Sequence, residues 1–147
     1  MSTELNVDLV GPERADEVVG VIHRAFAARP KLDPPGPAGD ETVESVAKVL
    51  AADGGLLATR RGYPIGAILF DQSRPGQLGL KRVSVDPQGR DRGVASAMVG
   101  VAEDFAEERG ADGIWLHVRE ELPENLRFWA HRFYRPISQE GSTIEFA

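Results

Sequence analysis

The sequence predicts an α/β fold: a single mixed central sheet of six to seven strands flanked by about four helices, in one domain spanning residues 1–147. Three observations carry this expectation. Short segments alternate apolar and polar residues with a period of two, while longer ones repeat apolar residues at helical spacing. Taken in order the segments read βααβββαβαββ, which mixes strand directions within one sheet. The stretch from Val83 to Val99, VSVDPQGRDRGVASAMV, reads as a buried strand, a turn of glycine and arginine, and the opening of an amphipathic helix.

Each element has its own signal. Leu5, Val7 and Leu9 alternate with polar or smaller neighbours, giving a half-buried first strand over Leu5–Val10. Gly11-Pro12 breaks it, and Pro12 suits the first position of a helix whose inner face is Ala15, Val18, Val19, Ile22, Ala25 and Phe26. Pro30, Pro34, Pro35 and Pro37 make Arg29–Gly39 a stiff irregular loop. Asp40 is expected to cap a second helix with Val43, Val46, Ala47 and Leu50 inward, ended by Gly54-Gly55. Leu56–Thr59 and Ile65–Phe70 form a hairpin about Arg61-Gly62. After a turn at Arg74-Pro75-Gly76, a fourth strand runs from about Leu78 to Val85. A long helix from about Gly93 to Arg109 turns Val94, Met98, Ala102, Phe105 and Ala106 inward and stops at Gly110. Gly113–Val118 is a buried strand, with Trp115 read as core. Pro123 opens a helix through about Arg132, and Tyr134–Ile137 and Thr143–Phe146 are closing strands. The last of these, ending at Phe146-Ala147, is expected to leave an apolar edge, which suggests a homodimer.

The fourth strand carries an irregularity. Leu78 and Leu80 are apolar at even positions, Val83 and Val85 at odd ones, whereas a regular strand alternates strictly. A β-bulge around Lys81-Arg82 restores one apolar face, bends the strand and can splay it from its neighbour. The alternative is an interior strand covered on both faces.

Composition narrows the function. With 41% apolar and 27% charged residues the chain is an ordinary globule, and its apolar runs are too short to span a bilayer. The start, Met1-Ser2-Thr3-Glu4, lacks the basic and apolar segments of a signal peptide, so the cytoplasm is the expected location. The absence of cysteine excludes disulfides, thiolate catalysis and cysteine-ligated zinc, and no metal is expected. A net charge of −6 argues against nucleic-acid binding and is compatible with a cationic or amine substrate, although most surplus carboxylates are solvated surface.

The Val83–Val99 junction aims backbone N–H groups and the positive end of a helix dipole at one spot, which suits a phosphate. A Rossmann turn would need G-x-G-x-x-G, and a P-loop Gly-Lys-Ser/Thr; neither is present. Arg90-x-x-Gly93-x-Ala95, between that strand and that helix, resembles the Q/R-x-x-G-x-G/A signature of the GCN5-related N-acetyltransferases (GNAT). The following strand Ile114-Trp115-Leu116-His117-Val118-Arg119, then Asn125 and an aromatic last helix, are similar to the same family, as is a bulged fourth strand. The resemblance implies a GNAT fold with a splayed fourth strand and acetyl-CoA as cosubstrate. It also implies direct acetyl transfer to a small-molecule or peptide amine; the net charge and short apolar runs add the expectation of no nucleic-acid or membrane partner. Gly93 would let the backbone approach a pyrophosphate; the amides of Arg92, Gly93, Val94, Ala95 and Ser96 would bind its oxygens, with Arg90, Asp91 and Arg92 on the same turn. The backbone of Val83, Ser84 and Val85 would pair with the pantetheine arm.

The catalytic pattern departs from the family. Relatives often carry a carboxylate base on the fourth or fifth strand, but here the fourth offers Lys81 and Arg82, and His117 stands where an L-E-V-R-like run has Glu. An unperturbed imidazole titrates near neutrality and can take an amine's proton, although a lone strand histidine is more often structural. Glu120 and Glu121 are the next candidates. In place of the family's F-Y-x-x-x-G-F, the chain has Phe128-Trp129-Ala130-His131-Arg132-Phe133-Tyr134, so Trp129 replaces the tyrosine acid and Phe133 the glycine. An indole N–H can steady a thiolate or pack on pantetheine but does not give up its proton. Tyr134 is read as a strand aromatic first and a substitute acid second. Asn125 lies closer to the aromatic position than the family's cofactor-contacting Asn, so it either reaches the pantetheine, supports the preceding loop or caps its helix. The alternative to an enzyme is an acyl-CoA-binding module with weak or lost catalysis, acting as a sensor or interaction partner.

Overall fold

A computed structural model describes residues 4–29, 37–88 and 93–147. Strands β1 (Leu5–Val10), β2 (Gly55–Arg60), β3 (Tyr63–Asp71), β4 (Gln77–Val85), β5 (Gly113–Arg119), β6 (Pro136–Glu140) and β7 (Thr143–Phe146) form one sheet in the order β1-β2-β3-β4-β5-β7-β6. Every neighbouring pair is antiparallel except β4 with β5. Helices α1 (Ala15–Ala28) and α2 (Val43–Ala52) bury Val18, Ile22, Val46 and Leu50 against Leu57, Ala67 and Leu69. On the other face, α3 (Val94–Glu108) and α4 (Pro123–His131) bury Val94, Met98, Ala102 and Trp129 against Leu56, Ile68, Leu80, Leu116 and Val118. Consecutive strand residues such as Leu56 and Leu57 serve opposite cores because side chains alternate across a sheet.

The fourth-strand bulge stands where the period slips. Ala67 pairs with Ser84 and Leu69 with Lys81, so Ile68 alone faces both Arg82 and Val83. Arg82 takes φ 51, the left-handed conformation that absorbs the extra residue. Two consequences follow. Leu78, Leu80, Val83 and Val85 all pack on the α3 side. The strand also parts from its neighbour, since β4 pairs with β5 only from Gln77–Leu80 against Gly113–Leu116. Beyond that point a wedge-shaped gap opens.

Three expectations are corrected. Asp40 does not cap α2: it ends a 3-10 turn (Pro37–Asp40), and Thr42 caps the helix in a reciprocal box with Ser45. Tyr134 is not in a strand. Phe133 at φ 71 closes α4, Tyr134 N–H bonds back to Trp129 O at 3.0 Å, and β6 begins only at Pro136. Nor is the closing strand an apolar edge: β7 lies between β5 and β6, and the edge strand β6 is exposed along its whole length and begins with proline. Among the described residues, no helix is long and apolar enough to cross a membrane.

Candidate active site

The gap has three walls. The first is the opening of α3. Gly93 precedes it at φ 72, a conformation that costs glycine nothing, and among the described residues a Cβ there would meet nothing within 4 Å. The first helical bond runs from Ala97 N–H to Gly93 O at 3.0 Å, leaving the amides of Val94, Ala95 and Ser96 upstream of it. Among the described residues no side chain caps them, and the first turn holds no acidic residue to repel an anion. Gly66 on β3 sets the helix close to the sheet, since a Cβ there would stand 2.9 Å from Val94 Cγ1 and from Met98. Asp86 shapes the turn after β4, accepting from Arg24 Nε at 2.6 Å and from Gln88 N–H at 3.0 Å. Arg90, Asp91 and Arg92 lie outside the described residues.

The second wall is the unpaired flank of β4 after Leu80. Val83 and Val85 are half-buried on the α3 core, while Ser84 is buried and donates its hydroxyl to Arg82 O at 2.8 Å. The third is the end of β5. His117, the first residue past the paired segment, lies opposite Glu145 of β7, with Nε2 3.0 Å from Glu145 Oε1. A carboxylate only accepts, so Nε2–H donates, and whenever the ring is neutral Nδ1 is the nitrogen with the free lone pair. Glu145 also takes both Arg74 amino groups at 2.9 Å. Arg74, and next His117, hold its carboxyl at about 2, well below the usual range. Arg74 also covers the Trp115 indole at 3.7 Å, and Trp115 lies tilted against His117 at 5.3 Å. That indole needs Gly79 beneath it, where a Cβ would stand 2.5 Å from Trp115 Cζ2.

The other expected site residues lie apart. Asn125 is exposed on the first turn of α4, where no side chain caps the helix. Trp129 is only 4% exposed, wedged edge-on between Phe128 and Tyr134 in the core. Tyr134 sits at the paired end of the sheet, next to Arg135, whose backbone bonds Ala147. Its phenol donates to Glu103 at 2.9 Å, and burial followed by that bond pushes its pKa up. Glu121 pairs with Arg119 at 3.0 Å, and Glu120 accepts from Gln139. Sequence reasoning missed Glu145 and Arg74, whose roles arise only from strand order. A depression of about 410 Å3 beside Glu103 and Tyr134 is lined by none of the residues that form the three walls. Among the described residues no cluster of three His, Asp or Glu side chains is arranged to hold a metal ion.

Comparison with known proteins supplies the context. The sequence matches the acetyltransferase (GNAT) family over residues 15–134. No curated protein matches it. Among solved structures, the chain is similar to the PaiA N-acetyltransferase of Thermoplasma acidophilum in complex with coenzyme A. That likeness has TM-score 0.84 at 13% identity and covers 97% of each chain. It is also similar to the ribosomal-protein-S18-alanine N-acetyltransferase of Escherichia coli, with TM-score 0.78, 15% identity, and 97% and 92% of the two chains covered. A third likeness is to the aminoglycoside N-acetyltransferase AAC(6')-Iy in complex with CoA, with TM-score 0.76, 14% identity, and 95% and 93% covered.

Proposed function

We propose that this chain, which belongs to the acetyltransferase (GNAT) family, transfers the acetyl group of acetyl-CoA directly to an amine. One observation carries the reading: an uncapped helix opening and the unpaired flank of a bulged strand border the same gap. The amides of Val94, Ala95 and Ser96 would receive the diphosphate. Each helix-terminus interaction is worth roughly 0.3–1 kcal/mol when exposed and about 2 when partly buried, so several must act together. The backbone of Val83–Val85 would hold the pantetheine as an added strand. The CoA complexes of the Thermoplasma PaiA and AAC(6')-Iy proteins support this choice of donor.

His117 serves as the base in this mechanism. The acceptor nitrogen attacks the thioester carbonyl, the C–N bond forms, the C–S bond breaks, and the amine proton passes to His117 Nδ1. Glu145, kept ionised by Arg74, faces the opposite ring nitrogen and steadies the imidazolium as it forms. The sulfur leaves as thiolate, acceptable because a cysteine-like thiol titrates at about 8.5. Lack of an acid therefore slows release without forbidding it. The second reading, an acyl-CoA-binding module without turnover, is favoured by one observation: Trp129, at the usual position of the acid, is buried in the core.

Release of CoA thiol from acetyl-CoA, measured with a panel of amines, separates the two. Amine-dependent release that falls about 10²–10⁴-fold in His117→Ala, with CoA affinity unchanged, is expected. Tight CoA binding with no amine-dependent release supports the module instead.

A further inference from the structure

Four cationic side chains stand on the acceptor side of the gap, three of them paired with carboxylates, although the chain as a whole carries −6. The bulge is the first cause. Because it slips the side-chain alternation, Lys81 and Arg82 both leave the α3 core and face the side of α1 and α2. Lys81 is neutralised by Asp71 at 2.8 Å and Arg82 by Glu41 at 2.7 Å. Arg119, the last residue of β5 and thus on the opposite wall, turns to Glu121 at 3.0 Å.

Arg29, just past the end of α1, completes the group. Its guanidinium stacks on the Phe26 ring at 4.5 Å. Phe26 is itself braced by Gly39, where a Cβ would stand 2.8 Å from the ring. Among the described residues no carboxylate forms an ion pair with Arg29. Burial lowers its pKa, and the like charges of Arg119 and Arg82 lower it further. A guanidinium keeps its proton regardless, and an anion beside Arg29 would offset the cost of holding it half-buried. Arg29 thus lies within reach of the charges of Arg82 on β4 and Arg119 on β5.

We propose that the acceptor taken by this cleft is an amine bearing a carboxylate, gripped by Arg29 and Arg119 while its nitrogen points towards His117. The proposal rests on the acetyltransferase reading and narrows it. It disfavours polycationic acceptors, despite the chain's negative net charge. Arg82 is held by Glu41, which Ser45 and His23 in turn engage.

The test is calorimetric titration of the CoA-loaded protein with N-acetyl-alanine, N-acetyl-leucine and N-acetyl-phenylalanine, each against its uncharged amide. At least one carboxylate is expected to bind ten times more tightly than its amide, a preference lost in Arg29→Ala and weakened in Arg119→Gln. Both variants are expected to keep the wild-type affinity for CoA. Equal binding of acids and amides, no binding by any acid, or a preference that survives Arg29→Ala overturns the proposal. So does a tenfold loss of CoA affinity in Arg29→Ala, which assigns the arginine to the donor. Thiol release, assayed in parallel with the free amino acids, amino amides and spermidine, keeps the two readings apart. Preferred turnover of amides or spermidine refutes the carboxylate site but leaves the transferase intact. Carboxylate-selective binding without any release refutes the transferase alone.

Discussion

Replacing Gly93 with alanine tests the diphosphate cradle most directly, because structure separates its two effects. The residue sits at φ 72, where an L side chain costs roughly 1–2 kcal/mol. Among the described residues nothing lies within 4 Å of the added Cβ, so none of them adds a clash to that cost. For a chain of 147 residues the expected fall in Tm is about 2–4 °C per kcal/mol, or about 2–8 °C in all. The Cβ would also stand at the approach to the amides of Val94, Ala95 and Ser96. Charge-assisted hydrogen bonds are worth about 1.5–3 kcal/mol each, so pushing a phosphate off one of them weakens CoA binding about 10- to 100-fold. Thermal melting and a CoA titration of the same preparation measure both quantities. If Tm falls as expected while CoA affinity stays within twofold, the diphosphate binds elsewhere and the cradle is refuted.

Other outcomes follow from the same geometry. Glu145 has its folded pKa depressed to about 2, so its stabilisation is complete above the ordinary value and is lost as pH falls towards 2. With Arg74 and His117 side chains 39% and 47% exposed, solvent screening holds that contribution to about 1 kcal/mol. Glu145→Gln is therefore expected to melt a few degrees lower at pH 7, with the gap narrowing below about pH 4.5. A gap independent of pH counts against the ion pair. Tyr134→Phe removes the bond to Glu103 and is expected to cost about 1 kcal/mol while leaving thiol release unchanged. A large loss of turnover at intact stability would reinstate Tyr134 as an acid. Phe133 holds φ 71 with 92% of its surface exposed, so Phe133→Gly relieves strain without losing packing. Its Tm is expected to rise by about 2–4 °C, from roughly 1 kcal/mol, and no rise refutes the strain.

What the sequence determined by itself is what short-range physics encodes. Side-chain alternation located the β4 bulge to within a residue, because a one-residue slip reverses every face after it. Glycines marked the turns at Gly62 and Gly93 and the helix end at Gly110, since each needs a positive φ. The α2 cap was misplaced because Asp40 and Thr42 are both good capping residues, and only the backbone path chooses between them.

Strand order, by contrast, belongs to the tertiary structure. β7 enters between β5 and β6, and that insertion alone sets Glu145 opposite His117 and removes the expected apolar edge. The same holds for Arg29, Arg82 and Arg119, which are scattered along the chain and come within reach of one another's charge only in the folded chain. Periodicity tells a residue which face it occupies; pairing across the sheet decides which charges share that face.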